Sequence, residues 1–225
     1  MDEDDGILRL LERTRESEII KAVDESYKRI EGEQKDWYEA SSFYCPSGCG
    51  HCCVNFEPDL LECEAIYMAY WLIKNQYETA IKITQGEWPF YNGSTCPFFN
   101  RDKGYHCSIY GGRPFICRLF GASSAYGKNG GKVWKPCRFI PLNNLKEYDP
   151  ILEHREYDEE SAAKILKKLP PAMSDMMESA LLLSPDSEET KLIREILPLT
   201  IGRLLWLLKL NGAPDNNPNG AAPAA

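Results

Sequence analysis

Apolar positions between Ile7 and Ile30 recur every three or four residues (Leu8, Leu11, Ile20, Val23, Tyr27 and Ile30), with Glu, Arg and Lys between them. That period predicts an amphipathic helix, and Gly32 is a suitable stop. A second helical pattern opens at Pro58 and Asp59 and runs to Asn75. Its apolar members, among them Leu61, Ile66, Met68, Ala69, Tyr70 and Trp71, cover more than one face, so most of this helix should be buried. Between the two, Trp37, Tyr38, Phe43 and Tyr44 are expected to form an aromatic wall.

The pattern loosens over residues 76–95, around Gly86, Pro89 and Gly93, and from Cys96 to Ile140 it becomes short strands and turns. Asn100–Gly104 reads as a hairpin turn between two aromatic runs, and Gly127–Gly131 reads as another. Pro114 and Gly121 bracket a helix of about two turns. The remainder is helical over 159–169, 172–183 and 187–208, with Pro198 expected to kink or split the last helix. Residues 211–225 contain Asn, Pro, Gly and Ala with little to bury, which predicts a disordered tail.

Composition narrows the classes of function. A net charge of −8 and a pI near 5.1 argue against a nucleic-acid partner, because phosphate binding needs clustered Lys and Arg. No apolar run approaches the ~18 residues of a membrane span. The nearest, 197–210, carries Arg203 and Lys209. The first five residues are acidic where an export signal would be basic and then apolar, so a cytoplasmic location is expected. In a reducing compartment, cysteines serve as ligands or nucleophiles rather than disulfide halves. The acidic run 153–160, with His154 inside it, is expected to be solvated surface.

Nine cysteines are present, and eight form one pattern. Cys45, Cys49, Cys52 and Cys53 lie within nine residues, and Cys96, Cys107, Cys117 and Cys137 follow. Thiolates converging in this way suit a metal site or a pair of sites. Gly48 and Gly50 would let the backbone curl around an ion. Adjacent side chains such as Cys52 and Cys53 diverge, so this pair either feeds two sites or contributes only one ligand. Two tetrahedral zinc sites would use all eight thiolates. The Cys45-x3-Cys49-x2-Cys52 spacing also suits three corners of an iron–sulfur cluster, with 4Fe–4S the favoured type. Arg113 and Arg118 flank the later ligands, where their charge could offset that of the thiolates. Cys63 falls outside the pattern, as a small buried hydrophobe. His51 and His106 sit beside ligands and are expected to hydrogen-bond around the site rather than bind metal. The spacing also occurs in radical S-adenosylmethionine enzymes, but the alternating strands and helices of their barrels are missing from this pattern.

Cys45-x3-Cys49-x2-Cys52-Cys53, Cys96-Pro-Phe-Phe and Cys107-Ser-Ile-Tyr-x2-Arg113-Pro114-x2-Cys117-Arg118 together resemble the YkgJ-type cysteine-cluster family, also called CxxCxxCC, a zinc- or iron-chelating family. The resemblance spans about residues 40–140. It departs from the family in a three-residue first gap and in Gly111-Gly112, where a charged linker is usual. It also extends to the cysteine region of the longer flagellin lysine N-methylases, which implies an iron–sulfur cluster and S-adenosylmethionine for an enzymatic alternative.

The fold expected is mainly α with a small irregular cysteine-rich α+β metal-binding core. It divides into an N-terminal helix (1–35), the core (36–145), a C-terminal helical region (146–210) and the tail. The function expected is metal binding, zinc or iron–sulfur, with a structural or electron-transfer role. The alternative is an iron–sulfur enzyme, either a protein lysine N-methylase or an oxidoreductase. The leucines around Trp206 exceed what one helix face needs, which marks that helix as a site for a protein partner if core packing does not absorb them.

Overall fold

A computed structural model describes residues 5–45, 49–90, 93–102, 106–183 and 189–213. The described residues are mainly helical, with two small antiparallel sheets. Helix α1 (Gly6–Leu10) is capped by the Asp5 carboxylate, which accepts from the Ile7 and Leu8 N–H groups at 3.0 and 3.1 Å. The chain then breaks at Leu11–Thr14. Thr14 caps α2 (Arg15–Ser41) through Ser17 N–H, and Glu16 and Glu18 in the first turn complement the helix dipole. The single helix expected over 7–30 is therefore two, and the second does not stop at Gly32. Buried residues continue along the same face through Gln34 and Trp37, and that packing outweighs one helical glycine.

Asp59–Leu60 is strand β1 rather than the start of a helix; α3 begins at Glu62 and ends at Asn75. β1 pairs with β5 (Lys191–Leu192), Asp59 opposite Leu192, and this clamp delays the helix. The stretch expected to be loose contains α4 (Tyr77–Thr84), which buries Ala80 and Ile83. Helix α9 (Ile193–Leu210) runs through Pro198 without interruption, buried on one face by Leu197, Ile201, Leu204 and Leu208. Helix α3 packs against α2, α4 and α9, and is buried nearly all round, as its composition predicts. No helix is long and apolar enough to cross a membrane among the described residues. Residues 214–225, most of the expected tail, lie outside the described residues.

A second apolar cluster sits at the other end of α2. Trp37 and Phe43 pack edge-on against Trp134 of β3 (Lys132–Trp134), which lies between β2 (Ala125–Tyr126) and β4 (Tyr157–Asp158). The β2–β3 hairpin closes through Gly127 and Gly131, where a turn was expected. Short helices α6 (Leu142–Leu145) and α7 (Glu159–Leu166) complete this cluster with Leu145, Ala162 and Leu166, and α8 (Met173–Leu181) returns the chain to α2.

The two clusters are joined around α5 (Phe115–Leu119), which carries Cys117. Buried Glu64, in the first turn of α3, accepts from its own helix start at Leu61 N–H (2.8 Å) and from Phe115 N–H (2.7 Å). One carboxylate thus fixes two helix starts. Arg118 adds a brace: it pairs with Glu31 and donates to the Arg113 and Gly111 carbonyls at 3.0 and 2.5 Å, while Gln34 Nε2 donates to its carbonyl at 2.8 Å.

Burial pushes the Glu64 carboxyl up to about 7 from an ordinary 4.5, against the two N–H bonds that favour its charged form. A raised carboxyl binds more protons folded than unfolded. Its stabilising contribution is therefore complete below about pH 4.5 and lost as pH rises through 7, a change on the order of 3 kcal/mol. Denaturant unfolding across that window should show the fall in the natural chain and a flatter profile in Glu64→Gln; parallel profiles would contradict it.

Candidate metal centre

The knuckle begins where α2 ends. Phe43 is buried in the second cluster, Cys45 is exposed, and Pro46, Ser47 and Gly48 lie outside the described residues. Gly50 then turns with φ +63°, and His51–Cys53 form one 3-10 turn closed by Cys53 N–H to the Gly50 carbonyl at 2.9 Å. A left-handed backbone suits glycine, and here space demands it as well. A Cβ on Gly50 would lie 2.3 Å from Cδ2 of His106.

The segment after the knuckle holds Cys96. Cys96 N–H donates to the Phe56 carbonyl at 3.0 Å and Asn55 N–H to Thr95 Oγ1 at 3.2 Å. Arg194 of α9 anchors both segments through an ion pair with Glu57 and a 2.9 Å bond to the Thr95 carbonyl. Cys96 and Cys107 then lie on the two arms of a narrow hairpin. Phe99 and Cys107 form a bridge, and Ser108 N–H donates to the Phe98 carbonyl at 3.0 Å. The Lys103-Gly104 part of the expected turn, with Tyr105, lies outside the described residues. In this hairpin each sulfur accepts a backbone N–H from two residues on: Phe98 for Cys96 and Ile109 for Cys107. Such bonds favour the thiolate and give the loop the form of a metal knuckle.

Cys117 arrives on α5. Cys137 follows β3 and packs against the second apolar cluster, its carbonyl accepting Ile140 N–H at 3.0 Å. Seven of the patterned cysteines are half-buried, and Cys63 is fully enclosed in the helical core.

The sulfurs interact electrostatically in two overlapping groups. Cys45 is pushed up to about 11, first by burial and then by Cys49, Cys137 and Cys52. Cys117 is raised by burial and then by Cys96, Cys107 and Cys52. Cys96 is pushed up to about 12 by burial, with Cys107 adding to it. Burial also raises Cys107. Cys52 falls to about 7, chiefly because the Cys53 thiol donates to its sulfur; Cys53 is raised by the same bond, by burial, and by Cys117 and Cys107. Cys52 and Cys53 therefore stand between a Cys45/Cys49/Cys137 group and a Cys96/Cys107/Cys117 group. Among the described residues no three Cys, His, Asp or Glu side chains already sit in metal-holding geometry, so a bound ion would have to draw the sulfurs together.

The neighbours refine the expectations. His51 Nδ1 lies 3.0 Å from Cys49 Sγ, and its ring stacks on Phe139. The His106 ring bonds to the Asn100 carbonyl at 2.9 Å through Nδ1. His154, expected on the surface, is half-buried and bonds through Nε2 to the Ile140 carbonyl at 3.0 Å. Gly111-Gly112 has a physical reason: a Cβ at either position would come within 2.8 or 2.9 Å of the Trp71 indole. Two more residues bear on the site, one expected in the aromatic wall and one unnoticed in the sequence. Tyr38 is raised by burial and then by Cys45, which marks it as a neighbour of the knuckle. Glu64 positions α5; its only signal was a glutamate at the third position of a helix.

Eight soft donors, partly shielded from water and backed by backbone N–H groups, suit zinc or iron. The family comparison agrees. Residues 44–148 match the family model CxxCxxCC, described as a "Putative zinc- or iron-chelating domain". They are a CxxCxxCC domain, of the YkgJ type. Comparisons with curated proteins and with solved structures give no significant match. All eight patterned cysteines fall inside the CxxCxxCC domain, and Arg113 and Arg118 do too.

Gly50→Ala should destabilise the CxxCxxCC domain by about 1–2 kcal/mol from the left-handed backbone alone, and by more from displacing His106. His106→Ala in the same chain should recover only the second part in denaturant unfolding. Natural stability in Gly50→Ala would contradict a left-handed turn at Gly50 packed against His106.

Proposed function

We propose that the CxxCxxCC domain binds metal through two adjacent four-thiolate sites, Cys45, Cys49, Cys52 and Cys137 in one and Cys53, Cys96, Cys107 and Cys117 in the other. The reading is carried by the adjacent Cys52 and Cys53: Cys52 acts on Cys45 as well as on Cys107 and Cys117, whereas Cys53 is raised by Cys117 and Cys107 beside Cys52 itself. Side chains of consecutive residues diverge, so a vicinal pair is a natural boundary between two sites.

Four thiolates complete a tetrahedral zinc ion or the corners of a cubane cluster and leave no open position for a substrate. The role that follows is structural with zinc, or electron transfer if iron–sulfur clusters occupy the sites. The metal itself would supply Lewis acidity or a redox couple. The chain's part is to hold the sulfurs, to donate N–H groups to them from Phe98 and Ile109, and to release thiol protons as they ligate. Because the ligands come from the knuckle, the hairpin, α5 and the segment after β3, loading would close long loops and stabilise the domain directly.

Anaerobic purification, followed by an absorption spectrum with metal and sulfide analysis, tests the reading. About two zinc ions per chain, or iron with acid-labile sulfide, is the expected result. A chain that takes up no metal even on reconstitution would refute it. Cys49→Ser and Cys137→Ser should empty one site, Cys96→Ser and Cys117→Ser the other, and Cys63→Ala neither. Complete loss in all four ligand variants would rule out independent sites.

A further inference from the structure

Two arginines bracket the start of α5, and the fold treats them differently. The Arg118 guanidinium is committed. It pairs with Glu31, donates to two backbone carbonyls, lies 3.8 Å over the Tyr27 ring, and its residue is only 5% exposed. Arg113 has no such set of bonds. Its guanidinium stacks 3.7 Å over the Tyr110 ring, and its Nε is buried without a hydrogen-bond partner among the described residues. A donor left in that state is costly, and an arriving acceptor would recover the loss.

The candidates for that acceptor are close by. Arg113 directly precedes Pro114 at the start of α5, the helix that carries Cys117, and its charge also bears on Cys45 and Cys52 of the knuckle and Cys107 of the hairpin. Among the described residues Arg113 registers at four of these sulfurs, and Arg118 at Cys107. Pro114 and the Arg118 Nε bond to the Arg113 carbonyl fix the backbone at this point, and the Tyr110 ring orients the guanidinium plane. The side chain is thus held ready while its donor is unused.

We propose that Arg113 is a positioning residue of the metal centre: on loading, its Nε–H donates to a ligand thiolate and its charge offsets the excess negative charge of the thiolate shells, while Arg118 is a brace of the fold. This rests on the metal-binding reading above. A divalent ion in four thiolates leaves net negative charge, and two such shells side by side repel each other. A guanidinium among them reduces that repulsion, and its N–H draws electron density from the sulfur it meets. The Arg113 backbone carbonyl that receives Arg118 is untouched by a side-chain substitution, so the brace persists in an Arg113 variant.

Zinc affinity by chelator competition, the cobalt–thiolate charge-transfer band, and melting of the metal-free chain separate the roles. Arg113→Gln should weaken zinc binding on the order of 10-fold and shift the cobalt band, with metal-free melting unchanged. Arg113→Lys keeps the charge and should regain part of the affinity without restoring the band. Arg118→Gln should lower metal-free melting. The proposal is overturned if Arg113→Gln matches the natural chain in affinity and band, or if its lost affinity is accompanied by an equal loss of metal-free stability. A natural chain that takes up neither zinc nor cobalt defeats the metal-binding reading itself, and this inference with it.

Discussion

Burial holds thiols neutral, whereas metal ligation needs them ionised, and that conflict governs the cysteine-rich half of this chain. Cys45, Cys53, Cys96, Cys107 and Cys117 are all raised, with burial the first cause in every case but Cys53, where the bond to Cys52 leads. Left alone, such sulfurs would be ordinary neutral thiols. The surroundings bias them the other way, through two backbone N–H groups in the hairpin, the Arg113 charge, and the proton shared between Cys52 and Cys53. A cation would resolve the conflict by replacing the protons.

The helical scaffold serves that arrangement. Arg194 on α9 ties Glu57 and Thr95 together, which sets the knuckle beside Cys96. Glu64 on α3 sets the start of α5, and with it Cys117. The Trp37, Phe43 and Trp134 cluster fixes the end of α2 relative to β3, and so the approach of Cys45 and Cys137. Each anchor is a long-range contact to a rigid element. The ligand segments themselves are short and contribute little packing of their own, so their positions depend on these anchors.

Local patterns made much of this visible in the sequence. The apolar period of α2, the all-round burial of α3, the Pro114–Gly121 bracket and the Gly127–Gly131 turn each reflect interactions within a few residues. Long-range effects were hidden. Nothing local distinguishes Asp59–Leu60 from a helix start, because its partner strand lies at Lys191–Leu192. Gly32 reads as a stop until Gln34 and Trp37 are seen to be buried. The candidate ligand set came from residue type and spacing alone, which is all that metal-binding thiols ask of a sequence. The different surroundings of Arg113 and Arg118 were not legible there, since they depend on which carbonyls and rings reach each side chain.

The central claim is that the ligands of this domain are thiolates alone. X-ray absorption at the metal edge of the loaded protein measures that directly. The account predicts a first shell of sulfur at about 2.3 Å, with no nitrogen or oxygen contribution. A shell containing nitrogen or oxygen donors at about 2.0–2.1 Å would contradict it.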